Sequence, residues 1–172
     1  MEELKKRKQI RLKNYDYSYP GAYFVTICID KRKNILWDRE LNVQNFTWHT
    51  VGANCVRPKN LPLSHLGEIV RGELEKWDKT YKGVSLHSYV IMPNHLHLIV
   101  AITADENGRT QFAPTVGRMV KQFKGAVTKA VGRPIWQKSF MEHIIRSKND
   151  YTEISNYIYQ NPLNWHFDEL YS

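Results

Sequence analysis

"GVSLHSYVIMPNHLHLIVAI", residues 83 to 102, decides the fold. Both halves are apolar, aromatic and β-branched, and Pro93-Asn94 separates them as a turn signal. The pattern predicts two strands joined as a hairpin. Side chains alternate faces along a strand, so His95, His97 and Ile99 share one face and Leu96, Leu98 and Val100 the other. The leucine and valine face suits packing under helices, which leaves the histidine face looking away from that core. Two imidazoles this close either pack with satisfied nitrogens or chelate a metal through neutral ring nitrogens. His-x-His alone is a short motif, and packing is its commoner meaning.

Outward from the hairpin, "GAYFVTICID" (21–30) reads as a buried strand after Pro20-Gly21. Residues 31 to 63 have no sustained period and read as an irregular insertion with strand-like pieces. "SHLGEIVRGELEKWDKTY" (64–81) sets Leu66, Ile69, Val70, Leu74 and Trp77 at helical spacing behind a Ser64 N-cap. "APTVGRMVKQFKGAVTKAVG" (113–132) is a second helix with Val116, Met119, Val120, Phe123 and Val127 inward, ended by Gly132 and Pro134. "IWQKSFMEHIIR" reads as a short strand region. "SKNDYTEISNYIYQNP" is a last helix, capped by Ser, Asn or Asp and stopped at Pro162. The order is β-α-β-β-α-β. It predicts an α+β, ferredoxin-like fold: a four-stranded antiparallel sheet, helices on one face, and a C-terminal helix carrying Tyr157.

The chain of 172 residues fits one domain over 1–172, with a basic arm at 1–15 and the insertion at about 31–63. Apolar content of 42% and charged content of 24% are ordinary for a globular protein. No apolar run approaches the roughly 20 residues of a membrane span. The basic start lacks a signal peptide's apolar core, so the expectation is a cytoplasmic protein without a membrane partner. Cys28 and Cys55 form no CxxC, which argues against a disulfide framework or a cysteine zinc site. Net charge is +8 and unevenly spread. Residues 4–13 and 111–139 are basic and free of acids, which points to a polyanion partner. Arg118, Lys121, Lys124, Lys129, Arg133 and Lys138, with Arg146 beyond them, are candidate phosphate contacts.

The last helix bears on the histidine pair. Tyr157 and Asn161 are spaced i, i+4 and share a helix face. Asn161 offers a carbonyl oxygen and Tyr157 a phenol one turn away. Two imidazoles and a carbonyl oxygen suit Mg²⁺ or Mn²⁺ better than a structural zinc site. The same residues also read as an ordinary helix end. Tyr151 lies near the helix start, and Tyr159 is about 200° around from Tyr157, so neither pairs with Asn161.

Three blocks carry a resemblance. "MPNHLHLIV" resembles the HUH motif (His, hydrophobic, His) of single-tyrosine transposases. "WQKSFMEHIIRSKNDYTEISNYIYQNPLNW" is similar to the C-terminal block of the REP-associated tyrosine transposases and their IS200-like relatives. "GAYFVTICIDKRKNILW" resembles their first strand and following loop. The likeness covers roughly residues 15 to 166 and departs from shorter members at about 40–63. It implies a metal-dependent transposase that nicks and rejoins hairpin-flanked single-stranded DNA through a 5′-phosphotyrosine. His95 and His97 would be metal ligands, Tyr157 the nucleophile and Asn161 the third ligand, with Mg²⁺ or Mn²⁺ bound. His143 matches a recurrent position, as a DNA contact or a structural histidine. The implied partner is DNA carrying a REP-like or insertion-sequence-end hairpin, and the implied assembly a monomer or homodimer. The alternative is a domesticated, non-cleaving nucleic-acid-binding protein of the same fold.

Overall fold

A computed structural model describes residues 20–42, 46–50, 56–103 and 115–171. The basic arm at 1–15 lies outside the described residues. Among the described residues there are six strands: β1 (Gly21–Cys28), β2 (Thr47–Thr50), β3 (Val56–Lys59), β4 (Val84–Ile91), β5 (His95–Ile102) and β6 (Met141–Ile145). The helices are α1 (His65–Leu74), α2 (Trp77–Thr80), α3 (Val116–Val131) and α4 (Lys148–Gln160).

The strands form one sheet in the order β2-β3-β4-β5-β1-β6. Four consecutive strands, β4-β5-β1-β6, pair antiparallel throughout, which is the ferredoxin-like arrangement expected from the sequence. The hairpin is present: Pro93 and Asn94 turn the chain and the Met92 N–H donates to the His95 carbonyl at 2.8 Å. Within residues 31–63, β2 and β3 pair with each other and extend the sheet through a parallel bridge, Val56 to Ser88.

Periodicity explains the layers. α1 and α3 turn Val70, Leu74, Met119, Val120, Phe123 and Val127 onto Val25, Ile27, Leu96, Leu98 and Val100 of the sheet. Full burial of each such side chain contributes about 1.5–3 kcal/mol. Ser64 caps α1 by accepting the Gly67 N–H at 3.1 Å, and Thr115 caps α3. Gly132 closes α3 at φ 77°, a left-handed conformation that favours glycine. The single helix expected over 64–81 is broken between Leu74 and Trp77. The break accompanies a tertiary tie: the Asp78 carboxylate accepts the Leu86 N–H at 2.7 Å and Arg57 at 2.9 Å.

α4 packs on the opposite sheet face, burying Ile158 against Val90 and Ile99. Ser147 caps it by accepting the Asp150 N–H at 3.1 Å. Among the described residues no helix is long and apolar enough to cross a membrane.

Candidate active site

The face under α4 is the histidine face. The register sets His97 opposite Thr26 and His95 opposite Cys28. Both imidazoles are buried, at 0% and 2% exposure, yet they point away from the core beneath α1 and α3. Their Nε2 atoms lie 2.9 Å apart.

A second partner fixes the tautomer of His95. The Asn94 amide nitrogen donates to the carbonyls of Leu170 at 2.8 Å and Arg32 at 3.3 Å. Its Oδ1 therefore faces His95 Nδ1, 2.7 Å away, as an acceptor. His95 thus carries its hydrogen on Nδ1 and presents a bare Nε2. His97 Nδ1 meets the Thr26 hydroxyl at 2.8 Å. Burial holds the pKa of both rings below the ordinary value, and for His97 the neighbouring His95 adds to it. Both are neutral at neutral pH, the state in which imidazole binds a metal.

α4 supplies the other half. The Tyr157 hydroxyl lies 3.2 Å from His97 Nε2 and donates to Asp168 Oδ2, also at 3.2 Å. Asn161, one turn on and 4% exposed, donates its Nδ2 to Asp168 at 2.6 Å. Its Oδ1 is buried with no hydrogen-bond partner. Burial and then the Asp168 charge push the Tyr157 phenol well above its usual pKa. Phe24 stacks on the His97 ring at 5.2 Å and meets the Tyr157 ring edge-on at 6.1 Å. A cleft of about 240 Å³ opens beside His97 and Tyr157, bounded by Phe24, Glu142, His143 and Leu170.

His95, His97, Tyr157 and Asn161 therefore come together within a single chain. Asp168 completes the cluster, with ligand atoms of His95, His97 and Asp168 within 4.8 Å of one another. Sequence reasoning missed it. It lies past Pro162, outside any periodic element, and its only sequence signal is being an acid soon after the Tyr157 to Asn161 block.

The other tyrosines of α4 are engaged elsewhere. Tyr151 meets His87 Nδ1 at 3.2 Å, and Tyr159 stacks on Trp48 at 5.1 Å. The basic candidates are scattered. Arg118, Lys121, Lys129 and Arg133 are exposed on α3 or just beyond it, across the sheet from the histidines. Lys124 donates to the carbonyls of Gln137 and Ser139 at 2.9 and 2.8 Å, so it ties α3 to the following loop. Lys138 is exposed in that loop. His143, opposite Phe24 in the register, borders the cleft and bonds the Asp150 carboxylate at 3.0 Å. That bond holds the Asp150 carboxyl below its usual pKa. The Arg146 N–H donates to the same carboxylate at 3.1 Å, and its side chain is exposed.

The fold is the one adopted by a tyrosine transposase. The chain is similar to the solved structure of a REP-associated tyrosine transposase bound to a REP hairpin, with TM-score 0.59 and 21% identity. That match covers 92% of this chain and 76% of the other. An uncharacterized Haemophilus influenzae protein is 33% identical over 96% of this chain and 93% of its own length. The REP-associated tyrosine transposase of Escherichia coli K12 is 35% identical over 45% of this chain, a stretch that spans 44% of that protein. No family model matches the chain. The chain thus resembles the REP-associated tyrosine transposases, in sequence over nearly half of its length and in fold over nearly all of it.

Proposed function

We propose that the chain is a metal-dependent single-stranded-DNA transposase that nicks and rejoins hairpin-flanked DNA, with Tyr157 as nucleophile. The observation that carries this is the Tyr157 hydroxyl 3.2 Å from His97 Nε2, between elements 60 residues apart in sequence. The donor set also fits a hard divalent cation. Two neutral imidazole nitrogens converge, and the Asn161 oxygen is buried without a partner. His95, His97 and Asn161 would hold Mg²⁺ or Mn²⁺, which when bound polarises the phosphodiester and offsets charge developing on its oxygens.

The chain's own residues do the rest. Asn94 and Thr26 hold the two imidazoles in place from behind. Phe24 walls the cleft and fixes the His97 and Tyr157 rings against each other. The Tyr157 hydroxyl, already hydrogen-bonded to Asp168, passes its proton through solvent to the departing 3′-oxygen as its own oxygen attacks phosphorus. The Tyr157 O–P bond forms as the P–O3′ bond breaks, leaving a 5′-phosphotyrosine and a 3′-oxygen that leaves as hydroxyl. The reverse attack by a 3′-hydroxyl reseals DNA without ATP, because the phosphotyrosine retains the energy of the broken bond. His143 and Arg146, near the cleft mouth, contact flanking phosphates; the α3 cations add sequence-independent affinity from the far side. The reading sets the protein in the cytoplasm with its DNA.

The test is incubation with labelled single-stranded hairpin DNA and Mg²⁺ or Mn²⁺. A covalent protein–DNA adduct forms with the parent chain and is absent in Tyr157→Phe. Hairpin binding by the parent without any adduct identifies the non-cleaving alternative instead. Normal cleavage by Tyr157→Phe overturns the tyrosine assignment.

A further inference from the structure

We propose that Asp168 is itself a ligand of the metal ion, making the site two imidazoles, one amide oxygen and one carboxylate. This rests on the reading of His95 and His97 as metal ligands. Three observations carry it.

The first is convergence: a carboxylate oxygen of Asp168 and a ring nitrogen of each histidine lie within 4.8 Å of one another. Donor atoms that meet one cation at about 2.0–2.3 Å must be this close together.

The second is the attachment of the Asp168 segment. A short 3-10 turn, Trp165–Phe167, delivers Asp168, with the Trp165 ring 5.9 Å from that of His95. The Leu170 N–H donates to Asp168 Oδ1 at 2.6 Å, and the Leu170 carbonyl receives the Asn94 amide that orients His95. The carboxylate and the imidazole are thus held through one continuous set of hydrogen bonds. A carboxylate merely passing near the site needs no such linkage.

The third is Asn161. A carboxylate only accepts, so Asp168 must face the Nδ2 end of the amide, at 2.6 Å. That orientation leaves Asn161 Oδ1 buried and unpartnered. Such a group is costly to leave unmet unless something binds it. Asp168 thus supplies one donor and aims another.

The chemistry agrees. Mg²⁺ and Mn²⁺ favour oxygen donors, and a carboxylate adds both an oxygen and a negative charge to two imidazoles and a neutral amide oxygen. An anionic Asp168 shifts the site toward the harder ions.

The experiment is Mn²⁺ titration of the full chain without DNA, by calorimetry and by the paramagnetic resonance signal of free Mn²⁺. Asp168→Asn keeps the size of the side chain and removes its charge. It should weaken Mn²⁺ binding by about tenfold or more, and Zn²⁺ binding by less. His97→Ala should lose both. If Asp168→Asn binds Mn²⁺ within about twofold of the parent while His97→Ala does not bind, Asp168 is no ligand and the histidine reading stands. If the parent chain binds no Mn²⁺, both readings fall together. Should Asp168→Asn not fold, Asp168→Glu serves: a coordinating carboxylate displaced by one methylene changes the affinity, and an unchanged affinity overturns the proposal.

Discussion

Asn94→Ala should be among the most damaging substitutions outside the apolar core. The side chain is fully buried and joins three separate segments. It donates to Leu170 O at 2.8 Å and Arg32 O at 3.3 Å, and accepts from His95 Nδ1 at 2.7 Å. The 3.3 Å contact is long and counts for little. The two short bonds are worth about 1 kcal/mol each. Truncation also strands a buried imidazole N–H and a carbonyl, each costing about 1–3 kcal/mol in part offset by any water that enters. With water offsetting part of the stranding cost, the net loss is about 3 kcal/mol. For a chain of this size that lowers Tm by about 6–12 °C. Urea unfolding followed by far-ultraviolet circular dichroism measures it directly. Asn94→Asp should do no better, since it retains the acceptor toward His95 but sets a carboxylate against two carbonyl oxygens. A loss below about 1 kcal/mol for Asn94→Ala would refute the claim that this amide clamps the C-terminal segment to the site.

Two further outcomes are expected. In Gly67→Ala the new Cβ would sit 2.2 Å from the Leu36 carbonyl oxygen, so the change should cost about 3 kcal/mol despite alanine's better helix propensity. Gly72→Ala in the same helix meets nothing within 4 Å and should gain about 0.5–1 kcal/mol; similar effects at both positions in thermal melts would contradict this. The pH dependence follows from the histidine pair, whose folded pKa values burial depresses below the unfolded 6.5. Below about pH 6.5 the unfolded chain takes up protons that the folded chain refuses. Stability is then complete above that pH and falls beneath it, by about 1.4 kcal/mol per pH unit for each ring until its folded pKa is reached. Urea midpoints should drop between about pH 7.5 and 5.5, and His97→Gln should flatten the slope; a flat parent profile would count against the buried neutral pair.

Much was legible in the residues alone, because the decisive signals are local. Alternation in residues 83–102 specifies a hairpin with its histidines on the face opposite the leucines. The helical spacing of Val116 to Val127 specifies the buried stripe of α3, and Ser64, Thr115 and Gly132 mark helix ends through their own hydrogen bonds or conformation. The i, i+4 spacing of Tyr157 and Asn161 likewise sets them on one helix face.

Contacts between distant segments left no such trace. The β3 to β4 pairing rests on a bridge between Val56 and Ser88, and the interruption after Leu74 accompanies the ties from Asp78 to Leu86 and Arg57. The separation of the α3 cations from the histidines is set by which sheet face each helix covers. Asp168 is the clearest case. Its proximity to Tyr157, Asn161 and the histidines depends on a non-periodic turn folding back over β5. A sequence pattern records which way a side chain points along its own element. Whether two such faces meet depends on packing across the whole chain, so only the tertiary structure assembled the site.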